Sequence, residues 1–155
     1  MKETPITFSA EMVRAILDGH KTQTRLVVEP QPEDTTNCPY LVGIGENRKA
    51  RVCPYGKPGD CLKVEGSYVT LEILKVWIER LRDISEQGAK AEGIAREAGW
   101  WKNYDPEAHW RYWESPIQSF RTLWGSLYAD LPGCSWADNP WVWVIEFKRL
   151  GMGKK

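Results

Sequence analysis

The chain has 155 residues, with 21 basic and 21 acidic side chains and a pI near 6.7. This length suits one domain with a core of its own, and the charge balance excludes an overall positive field of the kind that attracts nucleic acids. The polar N-terminus and the absence of an apolar run of about 18 residues argue against a signal peptide and a membrane span, so we expect a cytoplasmic protein without a membrane partner.

The first predicted element is a short helix. Ser9 is a typical N-cap residue, apolar residues from Met12 to Leu17 fall on one helical face, and Gly19 is a typical stop. Residues 22–28 then alternate like a strand until Pro30 ends the pattern. The segment from Gly19 to Arg25 therefore joins a helix to a strand.

A long stretch rich in Pro, Asn, Asp and Gly follows at residues 31–60, and it predicts a functional loop with a short strand at 40–43. Leu62, Val64 and Tyr68 predict the next strand, and residues 76–81 predict another. Ser85 is a typical N-cap residue, so we expect a helix over 86–98 that Gly99 closes.

The last third of the chain contains most of the nine tryptophans, which indicate aromatic walls in a core or a cleft. Residues 100–113 are aromatic and irregular in pattern, whereas Ser115 and Pro116 begin the clearest helical stripe. Residues 141–147 are apolar on both faces and predict a central strand. We expect one domain over 1–150 and a disordered tail at 151–155.

Neither cysteine nor histidine forms a metal-binding pattern. The four cysteines lack a C-x-x-C pair, and His20 and His109 lie far apart in the sequence. In a reducing cytosol such cysteines are most simply free thiols, and we expect neither a metal nor a cofactor.

The segment from Gly19 to Arg25 concentrates an amine, two hydroxyls and a guanidinium within one short turn. A lysine and a threonine can act as a base and a nucleophile only where the amine is partly desolvated, because its pKa then falls. Strict strand alternation places Lys21 and Thr24 on opposite faces, so this pairing requires Lys21 to lie in the turn and fold back. The alternative is a solvated lysine near a helix C-terminus.

Several blocks of the sequence together resemble the ASCH domain family, which belongs to the PUA-like superfamily. The family hallmark G-x-K falls on residues 19–21. Further blocks resemble the ASCH proteins of bacteriophages and prophages, and they lie at 8–9, 12–14, 21–25, 53–56, 58–60, 91–93 and 139–145. The resemblance implies an α+β fold, a small mixed β-barrel with helices packed around it.

The resemblance extends to small bacterial amidohydrolases that deacetylate N4-acetylcytidine, whose motif G-x-K-T-x-T falls on residues 19–24. It implies Lys21 as proton acceptor, Thr24 as nucleophile and Glu92 as the acid that protonates the leaving amine. The family motif carries an arginine two residues after the Thr24 position, where this chain has Leu26, and the arginine here is Arg25. Without the resemblance, Glu92 would simply pair with residue 96 on a helix surface.

If Lys21 lies in the turn, we expect Lys21, Thr24 and Glu92 to share one pocket. We assign substrate binding to Thr22, Arg25, Lys63, Trp100 and Trp101, with the basic side chains on the rim and one of the adjacent tryptophans stacking on a base. Each of these residues also has an ordinary structural explanation. The tryptophans most simply belong to the core, and the cations most simply face water.

The resemblance therefore implies an amidohydrolase that acts on an N4-acylated cytidine-type nucleoside. The alternative from another class is an RNA- or nucleotide-binding module of phage origin, with or without ribonuclease activity, that binds single-stranded RNA. A third alternative is a phage accessory protein without catalysis. The pattern of residues does not specify whether the chain is a monomer or a dimer.

Overall fold

A computed structural model of the protein describes residues 1–31, 41–42, 49–50 and 52–150, without the side chains of 41–42 and 49–50. Its helices are α1 (Ala10–Leu17), α2 (Glu86–Ala91) and α3 (Pro116–Tyr128). Its strands are β1 (Glu3–Ile6), β2 (Gln23–Val27), β3 (Leu41–Val42), β4 (Lys49–Ala50), β5 (Cys61–Val64), β6 (Thr70–Arg80), β7 (Arg96–Glu97), β8 (Trp100–Lys102), β9 (Tyr112–Trp113) and β10 (Trp141–Arg149).

Strand β10 lies at the centre of the fold. Among the described strands, five form one sheet in the order β1-β5-β6-β10-β2, in which β1 and β5 are parallel and the other pairs are antiparallel. Val142 and Val144 face one side of this sheet, whereas Trp143 and Ile145 face the other, and all four are buried. The prediction of a central strand over 141–147 is confirmed.

Two apolar clusters cover the two faces of this sheet. The first cluster includes Leu62, Leu71, Ile73, Trp143, Ile145 and Phe147, together with Ile16 of α1. The second cluster includes Val142, Val144, Ile84, Ala89, Trp101, Phe120 and Trp124, and α2 and α3 contribute to it. Strands and helices therefore build the core jointly, and the predicted α+β fold class is confirmed.

Helices α1 and α3 agree with the sequence analysis. The Ser9 hydroxyl accepts a hydrogen bond from the amide of Met12, and the Ser115 hydroxyl accepts from the amide of Ile117. These side chains satisfy amides that a helix leaves unpaired at its start. Within the described part of the chain, no helix combines the length and the apolar character that crossing a membrane would need.

The predicted helix over 86–98 is wrong in its second half, because α2 ends at Ala91. Gly93 has a left-handed φ of 92°, which ends the helix. Ala98 and Gly99 have φ of 53° and 88°, and this pair of positive values makes a tight hairpin turn between β7 and β8. Residues 94–98 therefore do not continue the helix, although their sequence favours one, because they enter the hairpin of β7 and β8.

Three other expectations need correction. Residues 100–113 are not wholly irregular, because β8 and β9 join β7 in a second sheet. Strand β6 begins at Thr70, well before the predicted start, and Tyr68 lies between strands rather than in one.

The short strand predicted at 40–43 is observed as β3, and it pairs with β4, a strand that the sequence analysis did not predict. The expected tail at 151–155 lies outside the described residues.

Candidate functional site

The turn between α1 and β2 is fastened to the C-terminal ends of two helices. Gly19 adopts φ of 83°, and the amides of His20 and Lys21 both donate to the carbonyl of Ala15 at 2.9 and 3.1 Å. The amide of Thr22 donates to the carbonyl of Ala91 at 2.8 Å, at the end of α2. Lys21 therefore lies in the turn, and its side chain projects inward between the two helices.

The Lys21 amine is fully enclosed, because its side chain is 0% exposed. Its Nζ donates to the main-chain carbonyls of Gln23 and Glu92, both at 2.9 Å, and to Glu92 Oε1 at 3.3 Å. The ring of Phe8 lies 5.3 Å from Nζ. Three acceptors match the three hydrogens of an ammonium group, so the site satisfies the charged form of this lysine completely.

Burial and charge act in opposite directions on this amine. Burial lowers the pKa of Lys21 below its ordinary value of 10.5, and the carboxylate of Glu92 opposes that shift, while the positive charge of Arg25 adds to it. A lysine with a lowered pKa is easier to deprotonate near neutral pH. This amine is thus the group in the site best suited to act as a base.

Arg25 lies in the interior, and its side chain is 2% exposed. Its Nη1 donates to Glu92 Oε2 at 3.0 Å and to Gln23 Oε1 at 3.1 Å, and its Nη2 donates to Glu79 Oε1 at 3.0 Å. The guanidinium therefore joins two acidic residues inside the protein and does not lie on an exposed rim. The four charged side chains form a row of contacts with alternating signs, in the order Lys21, Glu92, Arg25 and Glu79.

Sequence reasoning missed Glu79, although β6 carries a usable signal. Trp77 and Glu79 are two residues apart on one strand and so share a face, and Trp77 packs against the second cluster. A carboxylate on a core-facing position needs a buried cation as partner. Spacing in the sequence does not identify this cation, because Arg25 lies on β2 and Glu79 on β6, and β10 lies between these strands in the sheet.

Thr24 lies on the opposite face of β2 from Arg25. It pairs directly with Ile145, a member of the first cluster, whereas Arg25 pairs with Val144 of the second. Directly opposed residues on neighbouring strands share a face, so Thr24 points toward the first cluster, and it is 5% exposed. Lys21 Nζ donates to the carbonyl of Gln23. The amine therefore lies against the peptide bond that joins Gln23 to Thr24.

Two glycines allow α2 to approach the turn and β2 closely. A Cβ atom on Gly93 would lie 2.7 Å from Lys21 Cβ, and one on Gly88 would lie 2.8 Å from Arg25 Nη2. Both distances are shorter than van der Waals contact allows. The absence of side chains at Gly88 and Gly93 therefore brings Glu92 within reach of both cations.

A cleft of about 730 Å³ lies outside this turn. Its walls include Ala15 and Gly93. A Cβ atom added to Gly93 would contact the side chains of both Ala15 and Lys21, so Lys21 lies directly behind this glycine. Lys21 itself, Thr24 and Glu92 are not among the residues that line this cleft. Lys21 thus lies behind the wall, and this cleft does not fulfil the expectation of one pocket shared by all three.

The residues assigned to substrate binding do not converge. Thr22 and Trp101 line the 730 Å³ cleft, and the cations of Lys90 and Arg96 lie 5.7 and 5.0 Å from the Trp101 ring. Trp100 is 45% exposed, whereas the neighbouring Trp101 is buried. Lys63 lines a different cleft, of about 340 Å³, with residues of β1 and β5.

The thiols and acidic groups of the described residues form no metal centre. Cys53, Cys61 and Cys134 are free thiols, and Cys38 lies outside the described part of the chain. No group of three or more His, Cys, Asp or Glu residues in that part is arranged to hold a metal ion.

The arrangement of elements is shared with solved structures. The chain superposes on the ASCH domain from Lactobacillus crispatus JV V101 with a TM-score of 0.52 and 16% identity, over 96% of this chain and 79% of that one. This chain has the fold of an ASCH domain. The hypothetical protein PH0355 is similar too, with a TM-score of 0.54 and 13% identity, over 97% of this chain and 100% of that one. No protein-family model and no curated protein gives a significant match.

Within this ASCH fold, α1, α2 and β2 meet at Lys21. The backbone of Lys21 also forms an isolated antiparallel bridge with Glu92, which fixes the two residues side by side. Leu26 packs against the first cluster, on the same side as Thr24, while Arg25 reaches Glu92 from the other face of the strand. In this chain Lys21, Arg25 and Glu92 thus lie together, and Thr24 lies across the strand from Arg25.

Proposed function

We propose that this protein is an amidohydrolase that deacylates N4-acylated cytidine-type nucleosides. The observation that carries the proposal is the enclosed amine of Lys21, which contacts the Glu92 carboxylate at 3.3 Å and the carbonyl that precedes Thr24 at 2.9 Å. Burial lowers the pKa of this amine, and a neutral lysine amine can activate a threonine hydroxyl by accepting its proton.

In this mechanism neutral Lys21 accepts the hydroxyl proton of Thr24 as the Thr24 oxygen attacks the acyl carbon. The C–N bond breaks as the leaving nitrogen receives a proton from a side chain of the site, the neutral amine departs, and an acyl-threonine ester remains. Water then hydrolyses the ester and restores the threonine. Because the Lys21 side chain is enclosed and Thr24 is 5% exposed, the substrate must displace neighbouring side chains, and slow turnover is expected.

The test is the release of cytidine from N4-acetylcytidine. We expect Lys21→Ala and Thr24→Ala to lower kcat/KM by about 10²-fold or more, since each removes a group that acts in the transition state. Thr24→Ser keeps the hydroxyl and should retain measurable activity, and Lys148→Ala, which changes an exposed lysine, should match the wild type. Unchanged rates in both alanine variants would rule the assignment out.

A second candidate function is the binding of single-stranded RNA in the 730 Å³ cleft. Three basic residues, Arg14, Lys90 and Arg96, line this cleft from α1, α2 and β7. Its walls also carry two acidic residues, Glu11 and Asp18, and Glu11 is paired with Lys102 at 3.0 Å. The cleft is therefore more basic than the neutral chain as a whole, and Trp101 adds an aromatic surface.

Salt dependence separates this candidate from the first. If three cations contact phosphates, the logarithm of the binding constant for single-stranded RNA should fall with the logarithm of salt concentration with a slope of about −2. Reversing Lys90 and Arg96 to Glu should abolish binding, and reversing Arg82, which does not line the cleft, should not. Fluorescence anisotropy with a labelled oligonucleotide measures both, and an absence of binding at low salt would remove this candidate.

We also propose the cytoplasm as the setting of either activity, and a phage or prophage origin because blocks of the sequence resemble bacteriophage ASCH proteins. The proposed substrates, a nucleoside or single-stranded RNA, need no membrane partner.

A further inference from the structure

The carboxylate of Glu92 is divided between two cations. Its Oε1 is 3.3 Å from Lys21 Nζ, and its Oε2 is 3.0 Å from Arg25 Nη1. The side chains of Lys21 and Arg25 are 0% and 2% exposed, so water does not replace either contact. The charge on Glu92 therefore has to serve both cations at once.

We propose that the ammonium of Lys21, not the carboxyl group of Glu92, delivers the proton to the departing amine, because both oxygens of Glu92 already accept hydrogen bonds from Lys21 and Arg25. Arg25 is the positioning residue that makes this so. The inference rests on the proposed amidohydrolase function and deepens it, by assigning the proton that the leaving group receives.

A hydrogen on the Glu92 carboxyl group would disturb both of its contacts. The buried guanidinium of Arg25 would lose its counter-charge from Glu92. The added hydrogen would also occupy an oxygen that now accepts from Lys21 or Arg25. Lys21, in contrast, exchanges between two forms that Glu92 can both accept a hydrogen bond from.

Other titratable groups around the pair do not supply the missing proton. From α3, Tyr128 is close enough for Glu92 to contribute to its raised pKa of about 12, with burial as the larger cause, so the phenol stays neutral. On β6, Glu79 accepts a hydrogen bond from Arg25. On β10, Glu146 accepts one from the side-chain Nε2 of Gln23 at 3.1 Å. Lys21 is the group among them that can both take a proton and return it.

The proton balance closes with Lys21 alone. Neutral Lys21 takes the hydroxyl proton of Thr24 while the bond from Thr24 Oγ1 to the acyl carbon forms. The C–N bond then breaks, and the Lys21 ammonium gives the same proton to the leaving nitrogen, which departs as a neutral amine. Lys21 next takes a proton from the attacking water and returns it to Thr24 Oγ1 as the ester breaks. The sum is amide plus water giving acid plus amine.

The experiment is the pH profile of kcat/KM for Glu92→Gln and Arg25→Gln. Activity requires neutral Lys21, so it rises with pH through the Lys21 pKa. Loss of the Glu92 charge should lower that pKa and move the rise to lower pH, and loss of the Arg25 charge should move it to higher pH, with the larger shift in Glu92→Gln. Arg25→Lys keeps the charge and should restore the wild-type profile. A merely structural role would not shift the two variants in opposite directions.

The size of the activity loss decides between Lys21 and Glu92 as the proton donor. We expect Glu92→Gln to stay within about tenfold of the wild type above the shifted rise, since the amide oxygen still accepts from Lys21. A loss of about 10²-fold to 10⁴-fold at every pH would identify Glu92 as the acid and overturn the proposal.

A direct titration keeps the inference separate from the activity. The Lys21 side-chain signal of protein with ¹³C-labelled lysine, assigned by its absence in Lys21→Met, should titrate at lower pH in Glu92→Gln and at higher pH in Arg25→Gln. Coincident titrations in all three proteins would refute the role of Arg25. If the wild type hydrolysed no acylated nucleoside, the proposed function and the proton delivery would fail, whereas this titration would still decide whether Arg25 and Glu92 set the charge of Lys21.

Discussion

We expect Glu92→Ala to lower the free energy of unfolding by about 3–5 kcal/mol, the usual effect of removing one partner from a buried ion pair. The alanine would leave Lys21 without its carboxylate and would leave Arg25 bound to Glu79 alone among acidic groups. Two enclosed cations would then face each other with one counter-charge fewer. Urea unfolding of the wild type and the variant at neutral pH measures the difference.

An exposed ion pair supplies the control. Glu72 lies 3.7 Å from Lys148, with side chains 33% and 58% exposed, so Glu72→Ala should change the stability by less than about 1 kcal/mol. If the two variants lost similar amounts, the Glu92 carboxylate would not be holding buried charges together, and the network would have to be solvated in solution.

Gly93→Ala is the second substitution with a large expected effect, a loss of about 2–5 kcal/mol. Its φ of 92° strains any residue with a side chain, by about 1–2 kcal/mol. The new methyl group would also lie 2.7 Å from Lys21 Cβ and 3.2 Å from Ala15 Cβ, and such overpacking costs about 1–3 kcal/mol more.

Gly99→Ala isolates the two contributions. Gly99 has φ of 88°, but a Cβ atom there would meet nothing within 4 Å, so this variant should show the backbone strain alone. The difference between the two glycine variants in urea unfolding measures the steric contact with Lys21. Equal losses would mean that α2 and the turn do not approach each other as closely as the structure shows.

The sequence predicted the elements whose signals are local. Ser9 and Ser115 carry the helix starts in their own side chains, and the two-sided apolar pattern of β10 needs no partner to be recognised. The predicted end of α2 was wrong because alanine, lysine and glutamate favour a helix up to residue 98. The hairpin of β7 and β8 depends instead on contacts of Arg96 with Trp101, which form only in the folded chain.

The site was predictable only in part for the same physical reason. The resemblance on residues 19–24 named Lys21, and the fold places its amine beside Glu92. Arg25 and Leu26 face opposite sides of β2, as the alternation of a regular strand requires. The partnership of Arg25 with Glu79 could not be read from spacing, since it is set by the register of β2 and β6 on either side of β10.

The central position of β10 has a consequence for how the protein folds during synthesis. Strands β2 and β6 both pair with β10, which is the last of the described strands to leave the ribosome. Until it emerges, β2 has no strand beside it and one edge of β6 stays open, so the residues that surround Lys21 cannot assemble early. Such long-range pairing gives slow folding, and a chain truncated before β10 would expose two unpaired strand edges that favour aggregation.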